Sequence, residues 1–258
     1  MQITFLGTAG AVPLRTRNYS SLFIEHNTVM CLLDCGEGSS RQLRTAGLPL
    51  DNIEYFYLTH AHLDHILGIP NILLSKYVNN RKSPTTIRLP KEGIPILNGV
   101  LKTIPERILS DMIIEIEGLK PGNTHALKDN FTIKCARTDH DPEISYASLA
   151  YRVDVSGKAI VYTGDTKPCL SVEQLSQKVD VLITEATFPD DLQETAARTG
   201  HTTPCQAAQL AVNSQVQRLV LTHVSWEENE EPPNLLRQAH KVFKGPITVA
   251  HDMLQISV

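Results

Sequence analysis

Tyr55-Phe-Tyr-Leu-Thr-His60-Ala-His62-Leu-Asp64-His65 is the stretch on which the fold turns. An apolar, aromatic strand runs straight into three imidazoles and a carboxylate, so four metal-type ligands fall between positions 60 and 65. Side chains alternate along extended backbone, which lets His60 and His62 point the same way, and the turn that follows can swing Asp64 and His65 toward a second ion. Imidazole and carboxylate together suit Zn²⁺, with Mn²⁺ or Fe as alternative occupants. A polar strand end with solvated histidines would not explain so dense a cluster.

Two ions need more ligands than this segment carries, and three later strand ends repeat its grammar. Phe131-Thr-Ile-Lys-Cys-Ala-Arg-Thr-Asp-His140 places a histidine after an apolar run, Ile160-Val-Tyr-Thr-Gly-Asp165 an aspartate, and Leu219-Val-Leu-Thr-His223 a histidine. One such residue is usually a cap or a solvated loop group; three beside the first cluster point to a shared site.

Outward from these, short β-branched runs predict strands at 3–6, 21–24, 29–33, 53–58, 112–116, 131–136, 148–153, 159–162, 181–183, 219–221, 247–249 and 254–258. Helical periodicity falls between them, at 39–46, 65–77, 94–101, 172–178, 204–213 and 234–243. Thr202 or Thr203 can cap the helix that opens at Pro204, and Ser171 the helix that opens at Val172. The stretch Asn79 to Pro95 reads as an insertion loop, leaving residues 1–258 as one domain of interleaved α and β elements.

The bulk numbers set limits. With 24 Lys+Arg against 28 Asp+Glu the formal charge is -4, so no broad cationic face is available to track a long nucleic acid. Five cysteines match neither a zinc ribbon nor a small disulfide framework and read as reduced thiols. No uncharged apolar run approaches the ~18 residues of a membrane span, and the expectation is a cytoplasmic protein with no membrane contact.

Asp34, His60-Ala-His62-Leu-Asp64-His65, His140, Asp165 and His223 reproduce in order the motifs of the metallo-β-lactamase superfamily, which the chain resembles over nearly its whole length. That resemblance implies a four-layer αββα sandwich with two mixed β-sheets. It implies two zinc ions, one held by His60, His62 and His140, the other by Asp64, His65 and His223, with Asp165 bridging. Asp34 would orient the ligands from behind.

A closer likeness is to ribonuclease Z, carried by Phe5-Leu-Gly-Thr-Ala-Gly-Ala-Val-Pro13, Arg17-Asn-Tyr-Ser-Ser21, Leu33-Asp-Cys-Gly-Glu-Gly38, Thr184-Glu-Ala-Thr-Phe188 and Thr199-Gly-His201-Thr-Thr-Pro-Cys-Gln-Ala-Ala208. It implies phosphodiester hydrolysis by a metal-activated hydroxide positioned by Asp64, with His201 as general acid and Glu185 holding it. His201 as a cap for the helix at Pro204 is the structural alternative. The substrate implied is a phosphodiester, a precursor transfer RNA or a nucleotide, and the family's habit implies a homodimer. The loop Pro13 to Asn18 would bring Arg15 and Arg17 toward the substrate.

Two features depart from that family. No room is left between His140 and Asp165 for its long arm that grips transfer RNA, and Leu63 replaces the glycine of its His-x-His-Gly-Asp-His, giving the form of class II cyclic-nucleotide phosphodiesterases. A cyclic-nucleotide or other small phosphodiesterase is therefore the alternative, ahead of an arylsulfatase or a non-catalytic binding protein of the same fold. His26, His125, His240 and His251 are expected to be ordinary histidines, His251 being the one whose strand-end position could bring it near the site; Trp226 either lines the mouth or merely packs, and Glu227 to Glu231 reads as a solvated loop.

Overall fold

The computed structural model describes residues 1–80, 83–140, 147–225 and 232–258. Strands β1 (Gln2–Gly7), β2 (Ser21–His26), β3 (Val29–Cys35), β4 (Tyr55–Tyr57), β5 (Thr85–Pro90) and β6 (Ile114–Leu119) are followed by β7 (Thr124–Ala126), β8 (Thr132–Arg137), β9 (Leu149–Val155), β10 (Lys158–Tyr162), β11 (Val181–Glu185), β12 (Arg218–Thr222), β13 (Ile247–Val249) and β14 (Gln255–Ser257). They form two seven-stranded mixed sheets, in the orders β14-β1-β2-β3-β4-β5-β6 and β13-β12-β11-β10-β9-β8-β7.

Alternation along the strands builds the layers. Leu22, Ile24, Cys31 and Leu33 of the first sheet meet Ile133, Tyr151, Val153, Ile160 and Ile183 of the second in the central core. Their neighbours Phe23 and Leu32 face the other way, onto helices α1 (Ser39–Thr45), α2 (Leu63–Ile66), α3 (Ile69–Val78), α4 (Ile94–Leu101) and α5 (Glu106–Ser110). Val161, Leu182 and Leu219 cover the far face of the second sheet beneath α6 (Leu170–Leu175), α8 (Pro204–Asn213) and α9 (Pro232–Ala239); α7 (Gln193–Thr199) precedes α8. Strands buried on both faces explain why so many read as continuous apolar runs rather than alternating ones. The result is the αββα sandwich that the motif order implied.

Several local expectations need correction. The stretch from Asn79 to Pro95 is no insertion loop: Thr85–Pro90 is β5, paired in parallel between β4 and β6. The helix expected from His65 to Tyr77 is broken in two at Gly68, whose amide donates to the Cys35 carbonyl at 2.8 Å instead of back along the helix and whose backbone lies so close to Gly36 that an added Cβ would sit 2.2 Å from its carbonyl oxygen. Ser171 lies inside α6, whose cap position is Cys169, and its hydroxyl bonds the Arg137 carbonyl instead. All five cysteines are unpaired thiols. Among the described residues no helix is long and apolar enough to cross a membrane.

Candidate metal centre and its proton-donor pair

The chemistry-bearing side chains sit just past the ends of five strands: His60 after β4, His140 after β8, Asp165 after β10, Glu185 at the end of β11 and His223 after β12. β10, β11 and β12 run parallel, so their C-terminal ends open at one edge of the sandwich. The parallel pairing of β3 with β4 brings Asp34 to the same edge. All seven residues singled out as ligands converge there.

In the first donor set, His60 Nε2 lies 2.9 Å from His62 Nδ1, which lies 3.3 Å from His140 Nε2. Nitrogens about 2.0–2.1 Å from one tetrahedral ion would be spaced in this range. The opposite ring nitrogens are occupied: His60 Nδ1 contacts the Thr59 hydroxyl at 3.0 Å and His140 Nδ1 donates to the Gly200 carbonyl at 2.9 Å. Burial holds His60 and His62 below the ordinary imidazole pKa, in the neutral form a ligand needs.

In the second set, Asp64, His65, Asp165 and His223 are all buried and their donor atoms lie within 4.8 Å of one another. His65 Nε2 is 3.2 Å from Asp64 Oδ2 and 3.5 Å from Asp165 Oδ2; His223 Nε2 is 3.2 Å from Asp165 Oδ1. Asp165 turns one oxygen toward His223 while the other lies 3.9 Å from His60 Nε2 and 3.8 Å from His140 Nε2, so it stands between the two sets. His65 Nε2, Asp165 Oδ1 and His223 Nε2 are buried without a hydrogen-bond partner. Leaving such atoms unpaired costs about 1–3 kcal/mol each, and a divalent cation among them would satisfy all three. Burial alone would raise the Asp64 carboxyl, but His65 and His223 hold it far below the carboxylate range; Asp165 is likewise held down, by His223 and His65.

Behind the ligands, Asp34 accepts hydrogen bonds from the Thr59 amide at 2.7 Å, the Thr59 hydroxyl, His65 Nδ1 at 2.7 Å and the Tyr162 hydroxyl at 2.8 Å. This is the orienting role expected of it. Thr59 and Tyr162 were not expected; hydroxyl residues are common at strand ends and carry no spacing signal.

Glu185 and His201 meet as expected. His201 Nδ1 lies 3.1 Å from both Glu185 oxygens, and the carboxylate also accepts from the Thr166 and Thr202 amides at 2.7 and 3.1 Å. Burial works against a charged imidazole, yet the Glu185 charge and hydrogen bond raise His201 to about 9. His201 is no helix cap: Thr203 holds that position, its amide bonded to Gln206 Oε1. The ring of His201 stands 5.0 Å from His140 and 5.7 Å from His223, centroid to centroid, at the edge of both donor sets.

The remaining expectations divide. Arg17 turns inward, donating to the Thr8 hydroxyl and the Ala250 carbonyl at 2.7 and 2.6 Å, so it fastens the loop rather than reaching for substrate; Arg15 is exposed. His125 packs against Tyr57 away from the site, and exposed His251 bonds the Asp252 carbonyl, outside the donor sets. Trp226 and Glu227 to Glu231 lie outside the described residues.

Two mixed sheets with this histidine and aspartate centre at their edge, together with full-length likeness to proteins named ribonuclease Z and tRNase Z, make the chain a metal-dependent hydrolase of the metallo-β-lactamase fold, of phosphodiesterase type. The chain belongs to the ribonuclease Z-like branch of that superfamily and to the family described as Anti-Pycsar protein Apyc1, whose model matches residues 1–240. It is similar to a ribonuclease Z of Myxococcus xanthus, 30% identical over 98% of this chain and 96% of the relative. That alignment runs over 297 positions against a chain of 258 residues, so the relative carries residues with no counterpart here, in keeping with the absent arm. Among solved structures, the short form of human tRNase Z matches with 27% identity and a TM-score of 0.80 over 100% of this chain and 99% of that one. The metallo-β-lactamase fold protein YhfI of Bacillus subtilis matches with 23% identity and a TM-score of 0.85 over 99% and 98%, a likeness of fold.

Proposed function

We propose that the chain is a dinuclear zinc phosphodiesterase acting on a small nucleotide phosphodiester, with a cyclic nucleotide as the leading candidate. His60, His62 and His140 would hold one ion, Asp64, His65 and His223 the other, and Asp165 both. The observation that carries this reading is the set of three buried, unpartnered atoms, His65 Nε2, Asp165 Oδ1 and His223 Nε2, on residues whose donor atoms lie within 4.8 Å of one another. When bound, the ions supply an activated water and neutralise charge growing on the phosphoryl oxygens.

The chain's own residues do the rest. Asp64, held ionised, accepts a hydrogen bond from the attacking water and orients it toward phosphorus. His201, its Nδ1 fixed on Glu185, keeps Nε2 for the departing alkoxide, which leaves as an alcohol once protonated. Glu185 stabilises the charged imidazole before the transfer and keeps the ring aimed.

The size of the substrate is argued from what surrounds the centre. The residues that ribonuclease Z relatives carry beyond this chain are missing, the formal charge is -4, and Leu63, between two ligands, is 59% exposed where a polyanion would pass. A second reading, trimming of a precursor transfer RNA 3′ end, is favoured by the names of the relatives. Zinc-loaded protein assayed on bis-p-nitrophenyl phosphate, cyclic nucleotides, a precursor transfer RNA and an aryl sulfate separates these. Turnover of both small diesters with intact RNA supports the first reading; a cut just past the discriminator base supports the second; no turnover of any phosphodiester removes both. One domain spanning 1–258, cytoplasmic residence and a homodimer remain part of the proposal.

A further inference from the structure

Thr187 follows β11 on the turn that carries Glu185 toward the site, and it is buried. Its hydroxyl oxygen lies 2.5 Å from Glu185 Oε2, 2.8 Å from His223 Nδ1 and 3.0 Å from the His223 carbonyl oxygen. Among the described residues it is the one side chain hydrogen-bonded to both Glu185 and His223. We propose that Thr187 is a positioning residue that fixes the tautomer of His223 and the orientation of Glu185 through one shared hydroxyl, tying the second metal position to the proton-donor pair. This rests on the reading of His223 as a metal ligand and His201 as proton donor.

The assignment follows from counting protons. A hydroxyl has one proton to give and two lone pairs to offer. The ionised carboxylate is the strongest acceptor in reach and takes that proton. The hydroxyl oxygen can then only accept from His223, so Nδ1 must carry the hydrogen. His223 Nε2 is left bare, and it is this atom that faces Asp165 Oδ1 at 3.2 Å and Asp64 Oδ2 at 3.5 Å. On the other side, Glu185 Oε2 receives the Thr187 hydroxyl together with the Thr202 amide, which leaves the carboxylate no freedom to swing away from His201. Asp34 does the same for His65 through a direct bond to Nδ1; at His223 the carboxylate acts through the hydroxyl and is thereby shared with His201.

Thr187→Val keeps the branched shape and removes the hydroxyl, and Thr187→Ser keeps the hydroxyl and removes the methyl. In metal-free protein, held at a pH high enough to neutralise the His223 ring, whose pKa burial lowers but Asp165 and Asp64 raise on balance, the ¹⁵N shifts of His223 should report a Nδ1–H imidazole in the parent and in Thr187→Ser, and a mixture of tautomers in Thr187→Val. Chelator competition should show one of two zinc equivalents weakened about 10–100-fold in Thr187→Val and restored in Thr187→Ser, with kcat falling in step and KM little changed. A neutral parent His223 that carries its one proton on Nε2 overturns the proposal. So does a Thr187→Val protein with unaltered tautomer and zinc affinity, or a Thr187→Ser protein as impaired as Thr187→Val, which would make the role one of packing. A parent that binds two zinc ions and hydrolyses no phosphodiester would instead remove the proposed function and leave the tautomer and affinity comparison standing.

Discussion

Asp34 and His223 both hold their backbones in the left-handed region, at φ 58° and 53°, where a residue with a Cβ pays about 1–3 kcal/mol. Four donors to the Asp34 carboxylate outweigh that strain, and the turn at His223 brings its ring against Gly10, where an added Cβ would lie 3.2 Å from the imidazole. The clustering of the candidate ligands was legible in the sequence because imidazole and carboxylate recur after apolar runs. The hydroxyls that contact them, those of Thr59 and Thr187, were not, since threonine fits any buried strand end. At this scale His201 gives the sharpest prediction. His201→Ala should lower kcat by about 10²–10⁴ on a diester whose leaving group is an alkoxide, and much less when p-nitrophenolate leaves, because that anion needs no proton. Parallel assays on the two substrates check it, and equal losses would show that His201 does not protonate the leaving group.

At the scale of elements, the turn after β10 delivers Asp165, and Gly164 makes the turn possible. It sits at φ 57°, and an added Cβ would approach the Thr59 side chain at 2.6 Å. Gly164→Ala should therefore displace Asp165, costing about 1–3 kcal/mol of stability and one of two bound metal equivalents, read by thermal unfolding and metal analysis. On α3, Lys76 is 0% exposed, its ammonium bonded to the Ile53 carbonyl and the Thr85 hydroxyl, and burial lowers its pKa from 10.5 to about 8. Below pH 8 it is charged both folded and unfolded, and folding bears the cost of burying that charge. Between about 8 and 10.5 the unfolded chain holds the proton and the folded one does not, so stability rises with pH. Relative to Lys76→Met, the parent should gain up to about 3 kcal/mol across that window and show a flat difference below it, measured by denaturant unfolding at each pH. The strand that accepts from this lysine, β5, was missed in the sequence for a reason of its own. Thr85-Thr-Ile-Arg-Leu-Pro90 is short, polar-flanked and ends in proline, and its strand character comes from parallel pairing on both sides rather than from its own pattern.

Over the whole molecule, two sheets packed face to face bring strand ends from opposite halves of the chain to one edge, and of the donor atoms gathered there His65 Nε2, Asp165 Oδ1 and His223 Nε2 have no hydrogen-bond partner. Interleaved strands and helices were evident from the sequence, but the four-layer order came from the resemblance, since local periodicity does not reveal which strands become neighbours. Because the folded chain presents both donor sets and the unfolded chain neither, chelation should lower the melting temperature and zinc should restore it in proportion to its concentration. The most direct test of the central claim is a titration of chelated protein with zinc, following hydrolysis of bis-p-nitrophenyl phosphate. The account predicts negligible turnover without metal and a rise that saturates at two equivalents; full turnover in the chelated protein, or none at two equivalents, would contradict it.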